Sequence, residues 1–146
     1  SEMAELLAGV KIQLKSGEQV DAGDYLKGKM MVGLYFSASW CPPCRAFTPK
    51  LKKSHREFEI VFVSRDKEAE ELFEYYEEHM GDWTFIPFAD PKIEELLEKY
   101  DARSIPGLRI IKPDGTVVVN DARTEVQDKA ADNPDALFEE WEAFYM

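Results

Sequence analysis

The chain has 146 residues, 45% of them hydrophobic, which suffices for a single compact domain over 1–146 with a real core and is too little for two. A formal net charge of -11 works against binding a polyanion, so no nucleic-acid partner is expected. The opening SEMAELLAGVK has no basic leader followed by an apolar core, and no segment approaches the roughly 18 apolar residues of a membrane span, so a soluble chain with no membrane partner is expected.

In chain order the signals alternate between strand and helix, which predicts an α/β layer structure. VKIQL (Val10 to Leu14) alternates like a half-buried strand, KSGE turns it, and DYLKG makes a short helical turn ending at Gly28. VGLYF (Val32 to Phe36) and IVFV (Ile60 to Val63) are continuous apolar runs, as in central strands covered on both faces. After the second of these, SRDKEAEELFEYYEEHMG predicts an acidic helix with Ala69, Leu72, Phe73, Tyr76 and Met80 on its buried face and Gly81 as its stop. DPKIEELLEKY starts another helix, with Asp90 as N-cap, Pro91 at the first position, and Ile93, Leu96, Leu97 and Tyr100 facing inward. LRIIKPDGTVVV reads as a hairpin turned by Pro113, Asp114 and Gly115. Asn120 to Asp132 reads as a long polar loop, and Asn133 and Pro134 open a last helix that buries Leu137, Phe138, Trp141 and Phe144.

Between the two central strands lies SASWCPPCRAF, Ser37 to Phe47, which holds both cysteines. A structural zinc needs four Cys or His ligands, and only His55 and His79 remain besides Cys41 and Cys44, so no metal is expected. A structural staple is a poor use of this spacing, because so short a loop removes little unfolded-state entropy. Redox chemistry uses every position. Coming off an apolar strand, Cys41 would cap the following helix, where unpaired N–H groups and the helix dipole favour a thiolate. Pro42 and Pro43 have no N–H to offer, so the nearest helical donor left for the Cys41 sulfur is the Cys44 amide. Cys44, one turn in and shielded, would resolve a mixed disulfide formed at Cys41.

WCPPC at a strand-to-helix junction, with SIP ahead of a hairpin, resembles the thioredoxin superfamily. YFSASWCPPCRAFTP, FEIVFVSRDK, WTFIPFADP and KPDGTVVV are similar to the tryparedoxins and nucleoredoxin-like proteins over nearly the whole chain. The resemblance implies a thioredoxin-like fold: a central mixed β-sheet flanked by helices, here with an N-terminal hairpin and an inserted acidic helix. It also implies a nucleophile at Cys41, a resolving cysteine at Cys44, and a cis-proline beside them. Two Ile-Pro pairs compete for that last position, and Pro106 is preferred over Pro87 because it leads into the hairpin. The Ile105 backbone would then pair with an incoming extended peptide, and Gly107 would leave the groove wide.

Ordinary thioredoxins carry a buried Asp where this chain has Tyr35, which is no base near pH 7. The proton acceptor for Cys44 is thus left without a candidate. Trp40 is expected as an aromatic shelf beside the disulfide, with core packing as the alternative. Arg45 either modulates a Cys41 thiolate or is simply solvated. The substrate-binding set is Trp40, Pro42, Pro43, Ile105 and Pro106.

Charge is uneven along the chain: Arg45 to Arg56 has five Lys or Arg and no acid, whereas Arg65 to Asp101 has thirteen acids against four bases. The cationic run is either a solvated helix face or a surface that steers acidic partners to the cysteines. The expected function is thiol-disulfide oxidoreduction without a cofactor by a monomer, acting on disulfide-containing proteins, peroxidases or small molecules and recharged by an upstream dithiol or thiol donor. The alternative is a redox-regulated binding or scaffold module of nucleoredoxin type. Two cysteines are too few for a stapled secreted scaffold, and EAFYM carries no retrieval signal for the secretory lumen, so a cytoplasmic location, extending to the nucleus, is expected.

Overall fold

The two continuous apolar runs become the middle of the sheet, because a strand with no polar face can only be covered on both sides. The computed structural model describes residues 6–145 apart from 30, 56, 57 and 113. Its elements in chain order are β1 (Lys11–Gln13), β2 (Gln19–Asp21), α1 (Ala22–Tyr25), β3 (Val32–Ser37), α2 (Pro42–Ser54), β4 (Glu59–Ser64) and α3 (Ala69–His79). Then follow β5 (Thr84–Phe85), α4 (Pro91–Lys99), β6 (Gly107–Ile111), β7 (Val117–Val119), α5 (Ala122–Glu125) and α6 (Pro134–Ala143).

The strands form one mixed sheet in the order β2-β1-β5-β4-β3-β6-β7. β3 pairs in parallel with β4 and antiparallel with β6, which puts the strand leading to the cysteines in the interior of the sheet, next to the central β4. All six residues of β3 are buried, and their alternation separates two cores. Tyr35 points to the side packed by Phe47 and Leu51 of α2, Leu72, Tyr75 and Tyr76 of α3, and Leu137, Phe138 and Trp141 of α6. Val32, Leu34 and Phe36 point to the other side, against Leu7, Ile12, Leu26, Leu96 and Tyr100. The expected mixed sheet, flanking helices, N-terminal hairpin (β1 and β2) and acidic helix (α3, between the parallel strands β4 and β5) are all present.

Helix starts fall where side chains can satisfy open N–H groups. Asp90 accepts from Lys92 N at 2.9 Å with Pro91 behind it, and Asn133 accepts from Ala136 N at 3.2 Å with Pro134 behind it.

Three expectations change. Residues 120–132 are largely helical: Asp121 caps α5, and a π-helical turn (Val126–Ala130) continues it, burying Ala122, Val126 and Ala130 at every fourth position. The buried face of α3 is Leu72, Tyr75 and Tyr76, rotated from the expected stripe, so Phe73 stands 48% exposed and Ala69 is exposed too. Phe144 lies just past α6 and is 51% exposed, while Tyr145 donates from its hydroxyl to the Ile111 carbonyl at 2.7 Å. The β6–β7 turn keeps Gly115 at φ +88, where a side chain would be strained; Pro113, expected in this turn, lies outside the described residues.

Candidate active site

β3 ends at Ser37, and the next residues are held against the end of β4. Ser39 donates from both its backbone N (2.9 Å) and its hydroxyl (2.5 Å) to Asp66 Oδ1, while Asp66 Oδ2 accepts from Ser64 Oγ at 2.8 Å. This fixes the approach to α2. Cys41 is its N-cap in extended conformation, with Pro42 and Pro43 at the first two helical positions, and its sulfur accepts from the Cys44 amide at 3.3 Å. The geometry is the one expected from two prolines without N–H groups.

Cys41 and Cys44 are joined as a disulfide, with Cα atoms 5.2 Å apart. Cys41 retains 5% exposure and Cys44 none, so an incoming sulfur can reach only the first. The Ile105–Pro106 bond is cis and Ile86–Pro87 is not, and the Ile105 carbonyl oxygen stands 3.8 Å from Cys41 Sγ. Ile105 packs on the cysteines. Trp40 is 48% exposed and belongs to no core, which removes the packing alternative. Pro42 and Pro43 are exposed beside it, whereas Pro106 is buried. Gly107 is also buried, and a Cβ there would sit 3.4 Å from Arg109 Nη1 and from the Ser104 carbonyl.

Beneath the helix start lies a hydroxyl cluster that the sequence did not flag. Thr48 Oγ1 donates to the Cys44 carbonyl at 2.9 Å and lies 2.6 Å from the Tyr35 hydroxyl and 2.7 Å from that of Tyr75. With its one proton committed, Thr48 accepts from both phenols, so Tyr75 in turn accepts from Ser37 Oγ at 2.9 Å. Burial, reinforced by the neighbouring Tyr75, pushes the Tyr35 phenol well above its ordinary value, so it stays protonated near neutral pH and offers no phenolate to take a proton from Cys44.

The hydrogen bonds of Arg45 run to the loop before Cys41 and to the end of α3. The guanidinium donates to the Ser39 carbonyl at 3.1 Å and to His79 Nε2 at 3.2 Å, which brings the end of the acidic helix α3 to the flank of the cysteine loop. His79 also packs on the Tyr75 ring, with centroids 5.6 Å apart. His55 is engaged elsewhere: Nε2 lies 2.6 Å from the Phe58 carbonyl, and its ring stands edge-on to Trp83. Among the described residues no three His, Cys, Asp or Glu gather as metal ligands would, and no helix is long and apolar enough to cross a membrane.

Residues 28–117 match the family model described as "Thioredoxin-like". The chain belongs to the thioredoxin-like family. Its curated relatives include the Arabidopsis thaliana protein named "Probable nucleoredoxin 1", 40% identical over 125 residues, which are 81% of this chain and 21% of that one. They also include the tryparedoxin of Trypanosoma brucei brucei, 39% identical over 134 residues, covering 86% of this chain and 90% of that one. The chain thus spans about a fifth of the length of the plant relative and nearly all of the tryparedoxin. Among solved structures, the thioredoxin from Wuchereria bancrofti superposes with a TM-score of 0.80 at 42% identity, covering 94% of this chain and 96% of that one. The cysteine pair closed at the start of α2 supports a redox dithiol, in keeping with the thioredoxin-like oxidoreductase family to which the chain belongs.

Proposed function

We propose that this thioredoxin-like protein works as one unit that reduces disulfides of proteins or small molecules, with Cys41 as nucleophile and Cys44 as resolving thiol. In the reduced form the Cys41 thiolate attacks one sulfur of the substrate disulfide; that S–S bond breaks, and the second substrate sulfur leaves with the bonding pair and takes up a proton. Cys44, as thiolate, then attacks Cys41 Sγ, expels the remaining substrate thiol, and closes the Cys41–Cys44 bond. An upstream thiol or dithiol donor returns two electrons and two protons. The observation that carries this reading is the pairing of a helix-capping, partly accessible Cys41 with a fully buried Cys44 one turn on.

Trp40, Pro42 and Pro43 would form the exposed side of the substrate groove, and Ile105, set outside buried Pro106 with its carbonyl toward Cys41, would pair with an extended substrate backbone. Arg45, bonded at Ser39, would act on the thiolate only through its charge. Protein disulfides and the disulfides of peroxidases are the expected substrates, met by a monomer in the cytoplasm or nucleus. The test is a disulfide-reduction assay with an artificial dithiol donor. Cys41→Ser abolishes turnover, and Cys44→Ser accumulates a mixed disulfide at Cys41 visible by mass; a Cys41→Ser protein with undiminished turnover refutes the reading.

A second reading is favoured by the fraction of the plant relative that the chain spans, about a fifth. Here the dithiol state switches the affinity of a binding module for its partners. Pull-downs from oxidised and reduced protein decide it: an identical partner set in both states, and after loss of both cysteines, removes it.

A further inference from the structure

Two arginines lie on the segments that border the site, one directly after β4 and one two residues before Ile105, and neither belongs to the cationic run that begins at Arg45. Arg65 follows β4; its backbone N donates to the Ser37 carbonyl at 2.9 Å, and its Nη1 donates to the Arg103 carbonyl at 3.0 Å. Arg103 precedes Ile105 by two residues, and the Ile105 carbonyl is the group that faces Cys41 Sγ. These links gather two exposed guanidinium groups beside the edge at which a substrate backbone would pair. Of the nearby carboxylates, Asp66 is buried on Ser39 and Ser64, Lys67 offsets Glu68 in sequence, and Asp101 holds Arg103 at 3.3 Å in a solvent-exposed ion pair, with which a substrate carboxylate competes for Arg103. Lys50, Lys52 and Lys53 lie about two to three turns further along α2, away from the cysteines.

We propose that the preferred substrate disulfide sits in an acidic, extended peptide segment whose backbone pairs at Ile105 and whose carboxylates meet Arg65 and Arg103. This rests on the oxidoreductase reading above. The molecule as a whole carries a net charge of -11 and repels such a segment at long range, so the two cations set its register and orientation over the last few ångströms. The cationic helix face is thereby freed from a steering role.

The experiment compares three disulfide peptides of one length: acids flanking the disulfide, the same acids moved to the far end, and a neutral version. The two acidic peptides have equal net charge, so their ratio of kcat/KM isolates the local contact. At low ionic strength the flanking acids raise kcat/KM over the distal ones by about five- to tenfold, and salt draws the ratio toward one. The double variant Arg65→Gln and Arg103→Gln abolishes the ratio, while Lys50→Gln with Lys52→Gln preserves it. A ratio of one in the unaltered protein, or a ratio that survives the double arginine variant, overturns the proposal. A protein that reduces none of the three peptides overturns the oxidoreductase reading instead, and this inference with it.

Discussion

Replacing Pro43 by Ala adds one N–H to the second position of α2, within the set of donors that an N-cap side chain uses. The Cys41 sulfur now has one such donor, the Cys44 amide at 3.3 Å. A hydrogen bond to a charged acceptor is worth about 1.5–3 kcal/mol, and one pKa unit corresponds to about 1.4 kcal/mol, so a second donor should lower the Cys41 thiol pKa by about one unit or somewhat more. Stabilising the thiolate stabilises the reduced protein, and for a two-electron couple about 1.4 kcal/mol raises the reduction potential by about 30 mV. Both prolines are exposed, so little packing is lost with either ring. Pro42→Ala is the control, since an amide at the first helical position is not one that a cap side chain engages. The pKa is read from the pH dependence of iodoacetamide alkylation and of thiolate absorbance at 240 nm, and the potential from equilibration with glutathione. A Pro43→Ala thiol pKa equal to or above that of the unaltered protein, or an equal shift in Pro42→Ala, refutes the account of why the motif carries two prolines.

Thr48→Val removes the acceptor shared by two buried phenols and the donor to the Cys44 carbonyl, and should cost about 2–4 kcal/mol in urea unfolding; Tyr35→Phe, which leaves Thr48 and Tyr75 bonded, should cost about 1 kcal/mol, and equal losses would contradict the assigned proton directions. Gly81→Ala puts a Cβ 2.5 Å from Cζ3 of buried Trp83, so a loss of about 1–3 kcal/mol with a changed near-UV spectrum is expected, and native-like stability would contradict the packing. Burial raises the phenols of Tyr35, Tyr76, Tyr100 (to about 12) and Tyr145, favouring their neutral forms only in the folded chain. That contribution is intact below the unfolded value of about 10 and is lost as pH rises through the folded values, so tyrosinate absorbance at 295 nm should appear together with loss of far-UV signal. Those tyrosines ionising near pH 10 in a chain with native circular dichroism would disprove it.

The parts of the molecule legible in the sequence are those whose cause is local. Val32–Phe36 and Ile60–Val63 announce buried strands by lacking a polar face, and Asp90-Pro91 and Asn133-Pro134 announce helix starts by their chemistry. The Cys41 cap follows from two missing amides. The helix after Asp121 carried a usable signal, since Ala122, Val126 and Ala130 recur every fourth residue behind a capping Asp, but the surrounding charge obscures it. The tilt of α3 that exposes Phe73 and buries Tyr75 is settled by what packs against it. So is the hydroxyl cluster, which joins Tyr35, Ser37, Thr48 and Tyr75 from three elements. Arg45 meeting His79, and Arg65 meeting the Arg103 carbonyl, depend on chain crossings 34 and 38 residues apart that no pattern encodes.

The apolar interior is divided: two large clusters lie on opposite faces of the sheet, and the cysteines with Ala38 and Ile105 form a third, small one at the strand ends. Folding and reduction share one thermodynamic cycle, so whatever stability a disulfide lends to the native state is subtracted from the ease of opening it. A pair set apart from both cores, closing a loop of only three residues' separation, lends little. What separates the two oxidation states is then left to the donors around Cys41: in the proposed reaction each one that steadies the thiolate raises the reduction potential and, through the same cycle, raises the stability of the reduced fold relative to the oxidised one.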